Sequence, residues 1–189
     1  MELTLELDWA VHVRSYPGAP RGGDSGIVIP ARDGALAALI DGAGHGLSAY
    51  HIAERARAFV YDNPDGEPDA LLERLDQTLR GTSGAAISIA RLRNGELSFC
   101  GIGNVQASLA LRPLEMRVGV VGLRMRRPKI IRTELKRDVW FLMHTDGLSS
   151  PTHIPVGSAV HVARSLVEKF GSHNDDASVL ALRWREPVR

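Results

Sequence analysis

Residues 86–103 read AISIARLRNGELSFCGIG, and this stretch decides the fold. Ala86 to Leu92 and Glu96 to Gly103 are two runs of strand length. Between them Asn94-Gly95 is the dipeptide that most readily takes the two left-handed residues of a tight hairpin turn. A hairpin makes its strands antiparallel. Toward the C-terminus, Val105 to Leu111, Arg117 to Val121, Ile130 to Leu135 and Asp138 to His144 read as further strands. A helix over Ala159 to Phe170 is expected to bury Val160, Ala163, Leu166, Val167 and Phe170, and Ala177 to Trp184 is the closing strand. Toward the N-terminus, Pro68 suits the first turn of a helix whose buried stripe is Leu71, Leu72, Leu75 and Leu79, with Gly81 as its stop. Leu47 to Tyr61 forms another, with Ala49, Ile52, Ala53, Ala56, Phe59 and Val60 on one face. Before it, strands Ile27 to Pro30 and Ala35 to Asp41 flank the turn Ala31-Arg32-Asp33-Gly34. Pro17 to Gly26 reads as a flexible stretch. Leu3, Leu5, Leu7, Trp9, Val11 and Val13 alternate with polar residues as a half-buried strand. Meanders and hairpins in this order predict an α+β fold of two packed, mainly antiparallel sheets with helices outside them.

With 189 residues the chain is read as one domain, long enough to bury a core without staples. Lys plus Arg number 23 against 22 Asp plus Glu, so no overall field steers the protein to nucleic acid or a membrane. Cys100, the single cysteine, cannot form an internal disulfide and sits in an apolar run, where it reads as a small buried hydrophobe in a reducing compartment. MELTLELDWAV lacks the pattern of a secretory signal, and no run approaches the roughly 18 apolar residues of a membrane span. A soluble cytoplasmic protein is expected. The basic run Arg124, Arg126, Arg127, Lys129 reads as a solvated loop, or else as a contact for an acidic partner.

Four turns next to apolar runs carry aspartate: Gly22-Gly23-Asp24-Ser25, Asp41-Gly42-Ala43-Gly44-His45-Gly46, Thr145-Asp146-Gly147 and Asn174-Asp175-Asp176-Ala177-Ser178. Each is placed at the start or end of a strand. Charged oxygen donors suit hard cations such as Mg²⁺ and Mn²⁺, and glycine lets a bare carbonyl approach the same ion. If three strand ends meet at one edge of a sandwich, Asp41, Asp146 and Asp175 converge, and cations are needed to offset their repulsion. Two divalent ions roughly 3.5–4 Å apart activate a shared water and stabilise an in-line displacement, which phosphoester hydrolysis uses directly. No Walker A pattern is present.

The set Asp24, Asp41-Gly42, Thr145-Asp146-Gly147 and Asp175-Asp176-Ala177-Ser178 resembles the metal-dependent serine/threonine protein phosphatase family, PPM. The Asp-Gly-x-Gly-His-Gly form at Asp41 resembles its bacterial branch, the sporulation and stress-response phosphatases. The short format and Gly101-Ile102-Gly103-Asn104 are most similar to the phosphatases that reset the stressosome. The resemblance implies an αββα sandwich with helix pairs outside, and two divalent cations, Mn²⁺ or Mg²⁺. It implies that Asp41 bridges both metals, that Gly42 binds one through its carbonyl, that Asp146 and Asp175 bind the other, and that Asp24 holds a coordinated water. It also implies attack of metal-bridged hydroxide on phosphoserine or phosphothreonine, here in phosphorylated STAS-domain stressosome proteins. His45 is a further candidate, as proton donor or as hydrogen-bonding support. Between the adjacent Asp175 and Asp176 the family's pattern selects Asp175, leaving Asp176 to cap a turn or hold Ser178. For the arginine with which larger relatives hold the phosphate, the sequence shows no clear counterpart, Arg14 and Arg21 being no more than candidates, and the chain is expected to be too short for much of a flap beside the site. The competing class is a pseudophosphatase that binds without turnover; it should lack one or more of these carboxylates, and none is missing.

Overall fold

The computed structural model describes residues 6–185. The elements begin with β1 (Glu6–Arg14), β2 (Asp24–Ala31), β3 (Gly34–Gly42), α1 (Gly46–Tyr61) and α2 (Pro68–Thr78). There follow β4 (Ala85–Arg93), β5 (Glu96–Ile102), β6 (Gln106–Leu109), β7 (Arg112–Pro113), β8 (Gly119–Val120) and β9 (Arg124–Met125). The chain continues through β10 (Ile131–Glu134), β11 (Phe141–His144), α3 (Ala159–Phe170) and β12 (Ala177–Arg185). Leu3 and Leu5, expected in the first strand, lie outside the described residues. The Asn94-Gly95 turn forms as read, with φ of 50° and 83°, and joins β4 to β5.

Two five-stranded antiparallel sheets result, ordered β1-β12-β11-β6-β7 and β10-β5-β4-β3-β2. Their facing sides enclose Leu39, Phe99, Phe141, Met143, Leu180 and Leu182, with Phe99 and Phe141 edge to face at 6.1 Å. α1 and α2 cover the outer side of the second sheet, packing Ile52, Ala53, Ala56, Leu72 and Leu75 on Leu36, Ile40 and Ile87. α3 covers the first, setting Ala163, Leu166 and Val167 on Leu142, Val179 and Ala181. β3 and β12 are apolar on both faces because each lies between a helix layer and the inter-sheet core. Ala35, Ala37 and Leu39 point inward, and Leu36, Ala38 and Ile40 point to the helices.

The order of layers is the expected one, but the helices differ: two cover one sheet and α3 alone covers the other. On α3 the buried stripe is Ala159, Val162, Ala163, Leu166 and Val167, while Val160 is 65% exposed. That stripe is the regular i, i+3, i+4, i+7, i+8 set, from which Val160 stands one residue aside. Asp24 does not lie in a loop; it is the first residue of β2, paired with Asp41. The expected strand 105–111 stops at Leu109, because Ala110 and Leu111 take φ of 49° and 63° and turn the chain into β7. β8 and β9 form a small separate ribbon, so residues 112–125 do build a wall beside the strand ends, contrary to the expectation of almost no flap.

Candidate active site

The first link is register. β2 opens at Asp24 and β3 closes at Asp41-Gly42, and their antiparallel pairing sets the two aspartates side by side. β11 closes at His144, opposite Val179 of β12. Antiparallel pairing therefore puts Thr145-Asp146, just after β11, next to Asp175-Asp176, just before β12. Thr145 N donates to Ser178 O at 3.2 Å, which fixes that juncture. Glycine is required there: a Cβ on Gly147 would lie 1.7 Å from the Asp176 carbonyl oxygen.

A cleft of about 550 Å³ opens at this end of the sandwich. Asp41, Asp146 and Asp175 line it, together with Asn104, Gly103, the Ala43-Gly44 turn and the Val118-Gly119-Val120 segment. Asn104 Nδ2 donates to Asp146 Oδ2 at 2.5 Å. Asp24 lies behind the lining and is 8% exposed, accepting from Thr145 Oγ1 at 2.7 Å. Burial pushes the Asp24 carboxyl up to about 7 against the hydrogen bonds of Thr145 and Ser178, and the charges of Asp176 and Asp175 push the same way. Burial, then the charges of Asp24, Asp146 and Asp175, raises Asp41 to about 8. Asp175 is also raised, chiefly by burial, while the Asp176 amide donating to its Oδ1 at 2.9 Å opposes the shift.

Among the described residues, no lysine, arginine or histidine lines this cleft. Asp41 and Asp175, driven toward protonation by burial and then by neighbouring carboxylates, belong to an oxygen donor set that a hard divalent cation neutralises. Among the described residues no three acidic, imidazole or thiolate side chains already close on a single point. Mg²⁺-like ions keep several waters and take one or two carboxylates each. The residues present fit such ions.

The other candidates are placed differently. Gly42 is buried behind the Ala43-Gly44 turn; its N–H donates to Gly23 O at 3.0 Å, and a Cβ would lie 2.3 Å from Ala49 O. His45 is the exposed N-cap residue of α1, makes no side-chain cap bond and does not line the cleft. Arg14 reaches the far side of the Asp175 loop, donating to the carbonyls of Val167 and Ser172. Arg21 lies over the Tyr50 ring at 4.6 Å. Neither arginine lines the cleft. Asp176 does not hold Ser178: its carboxylate accepts from Tyr16 N at 2.7 Å and Gly23 N at 2.6 Å, pinning the β1–β2 loop. Sequence reasoning missed Asn104 and the Val118–Val120 wall. Asn104 stood in the quoted Gly-Ile-Gly-Asn run, but nothing in its neighbours points to Asp146, 42 positions away.

No family model matches the chain. Phosphoserine phosphatase RsbX of Bacillus subtilis (strain 168) is 24% identical over 157 residues, covering 77% of this chain and 78% of that protein. The crystal structure of RsbX in complex with magnesium superposes with a TM-score of 0.84 at 22% identity, covering 95% of this chain and 98% of that one. The catalytic domain of the serine/threonine phosphatase PstP, in complex with two manganese ions, gives 0.75 at 17% identity, covering 97% and 100%. The fold is that of the PP2C/PPM phosphatases. A chain from work on the bacterial stressosome, a modular system adapted to control secondary messenger signalling, shares this PP2C/PPM fold with a TM-score of 0.87 at 24% identity, covering 94% and 100%.

Proposed function

We propose that this chain is a metal-dependent protein phosphatase that hydrolyses phosphoserine or phosphothreonine. The observation that carries the reading is the cleft itself: three carboxylates from three separate strand ends, with no cationic side chain among its lining, on a PP2C/PPM fold. Asp41, Asp146, Asp175 and the Gly42 carbonyl would hold two divalent ions. When bound, such ions neutralise the carboxylates and activate water for in-line attack on phosphorus. The chain's own residues orient the donors. Thr145 and Ser178 fix Asp24 behind Asp41, and Asn104 fixes one oxygen of Asp146. The Asp176 amide holds Asp175, and the Val118–Val120 segment walls off the opposite side.

The substrates we infer are phosphorylated STAS-domain proteins of a stressosome, in the cytoplasm. The sequence similarity to RsbX and the structural likeness to a stressosome chain support this. Among the described residues no helix is long and apolar enough to cross a membrane. Hydrolysis of an aryl phosphate with Mn²⁺, with Mg²⁺ and with chelator tests the reaction. Failure of either metal to promote turnover, on the aryl phosphate and on phosphoproteins, would overturn it. Incubation with phosphorylated stressosome proteins, followed by mass spectrometry of the sites that lose phosphate, tests the substrate class.

A further inference from the structure

One wall of the cleft is built from the β8–β9 ribbon. Val118, Gly119 and Val120 face the cleft, and β9 runs beside them with Arg124 paired to Val120 and Met125 to Gly119. Paired strands are about 4.8 Å apart, so Arg124 lies one strand's width from the lining. Arg126 and Arg127 follow directly and are exposed, as is Arg124. Lys129 is paired with Glu115 at 2.6 Å, but no carboxylate among the described residues pairs with Arg124, Arg126 or Arg127. Two large apolar side chains share the ribbon and face solvent: Val118 is 80% exposed and Leu123 is 68% exposed.

The ribbon is anchored. Backbone bridges join Val121 to Ala85 and Arg117 to Ile102, and Gly122 N donates to Asp76 Oδ1 at 2.9 Å. A fixed surface that combines exposed apolar side chains with unpaired arginines, beside a cleft, has the composition of a contact site. The charges also answer a difficulty of the cleft. A phosphoryl group carries about −1.5 to −2 charge, and Asp41, Asp146 and Asp175 repel it wherever bound cations do not neutralise them. Positive charge within a Debye length offsets that repulsion and favours partners that are themselves acidic.

We propose that the β8–β9 ribbon docks the acidic segment of a partner protein that surrounds its phosphorylated residue. Val118 and Leu123 supply the apolar contact, and Arg124, Arg126 and Arg127 supply the charge. The proposal rests on the phosphatase reading and names what that site selects. The test uses two fluorescent phosphoserine peptides of equal length, one with Asp and Glu flanks and one with Gln and Ser flanks. Binding is followed by anisotropy in the presence of chelator, so that turnover plays no part. The wild-type protein is expected to bind the acidic peptide roughly tenfold more tightly at low salt, as three exposed charge pairs allow. That advantage is expected to vanish at high salt and in the R124E/R126E/R127E variant, while aryl phosphate hydrolysis stays as in wild type. Equal affinity for the two peptides, or an advantage that survives charge reversal, would overturn the docking assignment. Absence of aryl phosphate turnover in the wild type would instead count against the phosphatase reading, and the peptide comparison would still decide the ribbon.

Discussion

Asp24 and Asp41 are neighbours across two strands, and burial first, then the charges of nearby carboxylates, makes ionising each of them costly without cations. Their carboxyls are raised from 3.8 to about 7 and about 8. A carboxylate raised on folding stabilises the protein while protonated, and that stability is lost as pH rises through the folded-state value. The melting temperature of the chelated protein is therefore expected to fall as pH climbs from about 4 to about 8. Mg²⁺ or Mn²⁺ should raise it more at the upper end of that range. Thermal melts with and without chelator check this, and a flat profile would refute it. Asp41→Ala should abolish metal-dependent turnover yet leave the chelated protein as stable as wild type, or more so, at pH near 8, since one member of a repelling set is gone. Melts and aryl phosphate rates on the same sample separate the two effects. His45→Ala is expected to cost far less than the roughly 100-fold that loss of a general acid brings, because the side chain lies outside the cleft.

The loops at this end are tied to each other more tightly than their composition suggests. Asp176 collects the Tyr16 and Gly23 amides, and Arg14 reaches back to the Ser172 carbonyl, so the β1–β2 and α3–β12 loops form one latch. Asp175→Asn should raise the metal concentration needed for half-maximal rate. Asp176→Asn should act instead on stability. An amide can offer only one oxygen to two N–H donors, which costs about 1–3 kcal/mol for the one left unpaired. Metal titrations and melts of both variants check the division, and the reverse pattern would exchange the roles. The aspartate turns were readable because Asp-Gly after an apolar run is a local signal. The partners of Asp176 were not, since Gly23 and Tyr16 lie 153 and 160 positions away, the first inside and the second just before a stretch that reads as flexible. Ala110 and Leu111 show the same limit. Both adopt left-handed backbone without the Gly or Asn that would announce it, so the end of β6 left no mark in the sequence.

The layering, by contrast, was written into hydrophobic pattern. β3 carries apolar residues on both sides because helices cover one face and a sheet the other, and burial on both faces leaves no alternation to read. Phe99 and Phe141 hold the two sheets together from opposite sides. Phe141→Ala is expected to destabilise the protein by about 3–5 kcal/mol, through lost contact and the cavity left behind. Urea unfolding measures it, and a loss below about 1 kcal/mol would mean the sandwich closes over the gap. What pattern could not supply was strand order, above all the partner of β1. That partner is β12, joined to it by nine residue pairs from Glu6–Arg185 to Arg14–Ala177. The pairing has a consequence for synthesis. Asp24 and Asp41 leave the ribosome early, Asp146 and Asp175 much later, and the sheet that carries the latter two stays open until residues 177–185 can reach β1. On the proposed assignment a nascent chain holds only Asp41 of the three cleft carboxylates and would bind ions weakly. Metal affinity would then arrive only with the last strand, so that ions stabilise finished molecules and leave unfinished ones to chaperones.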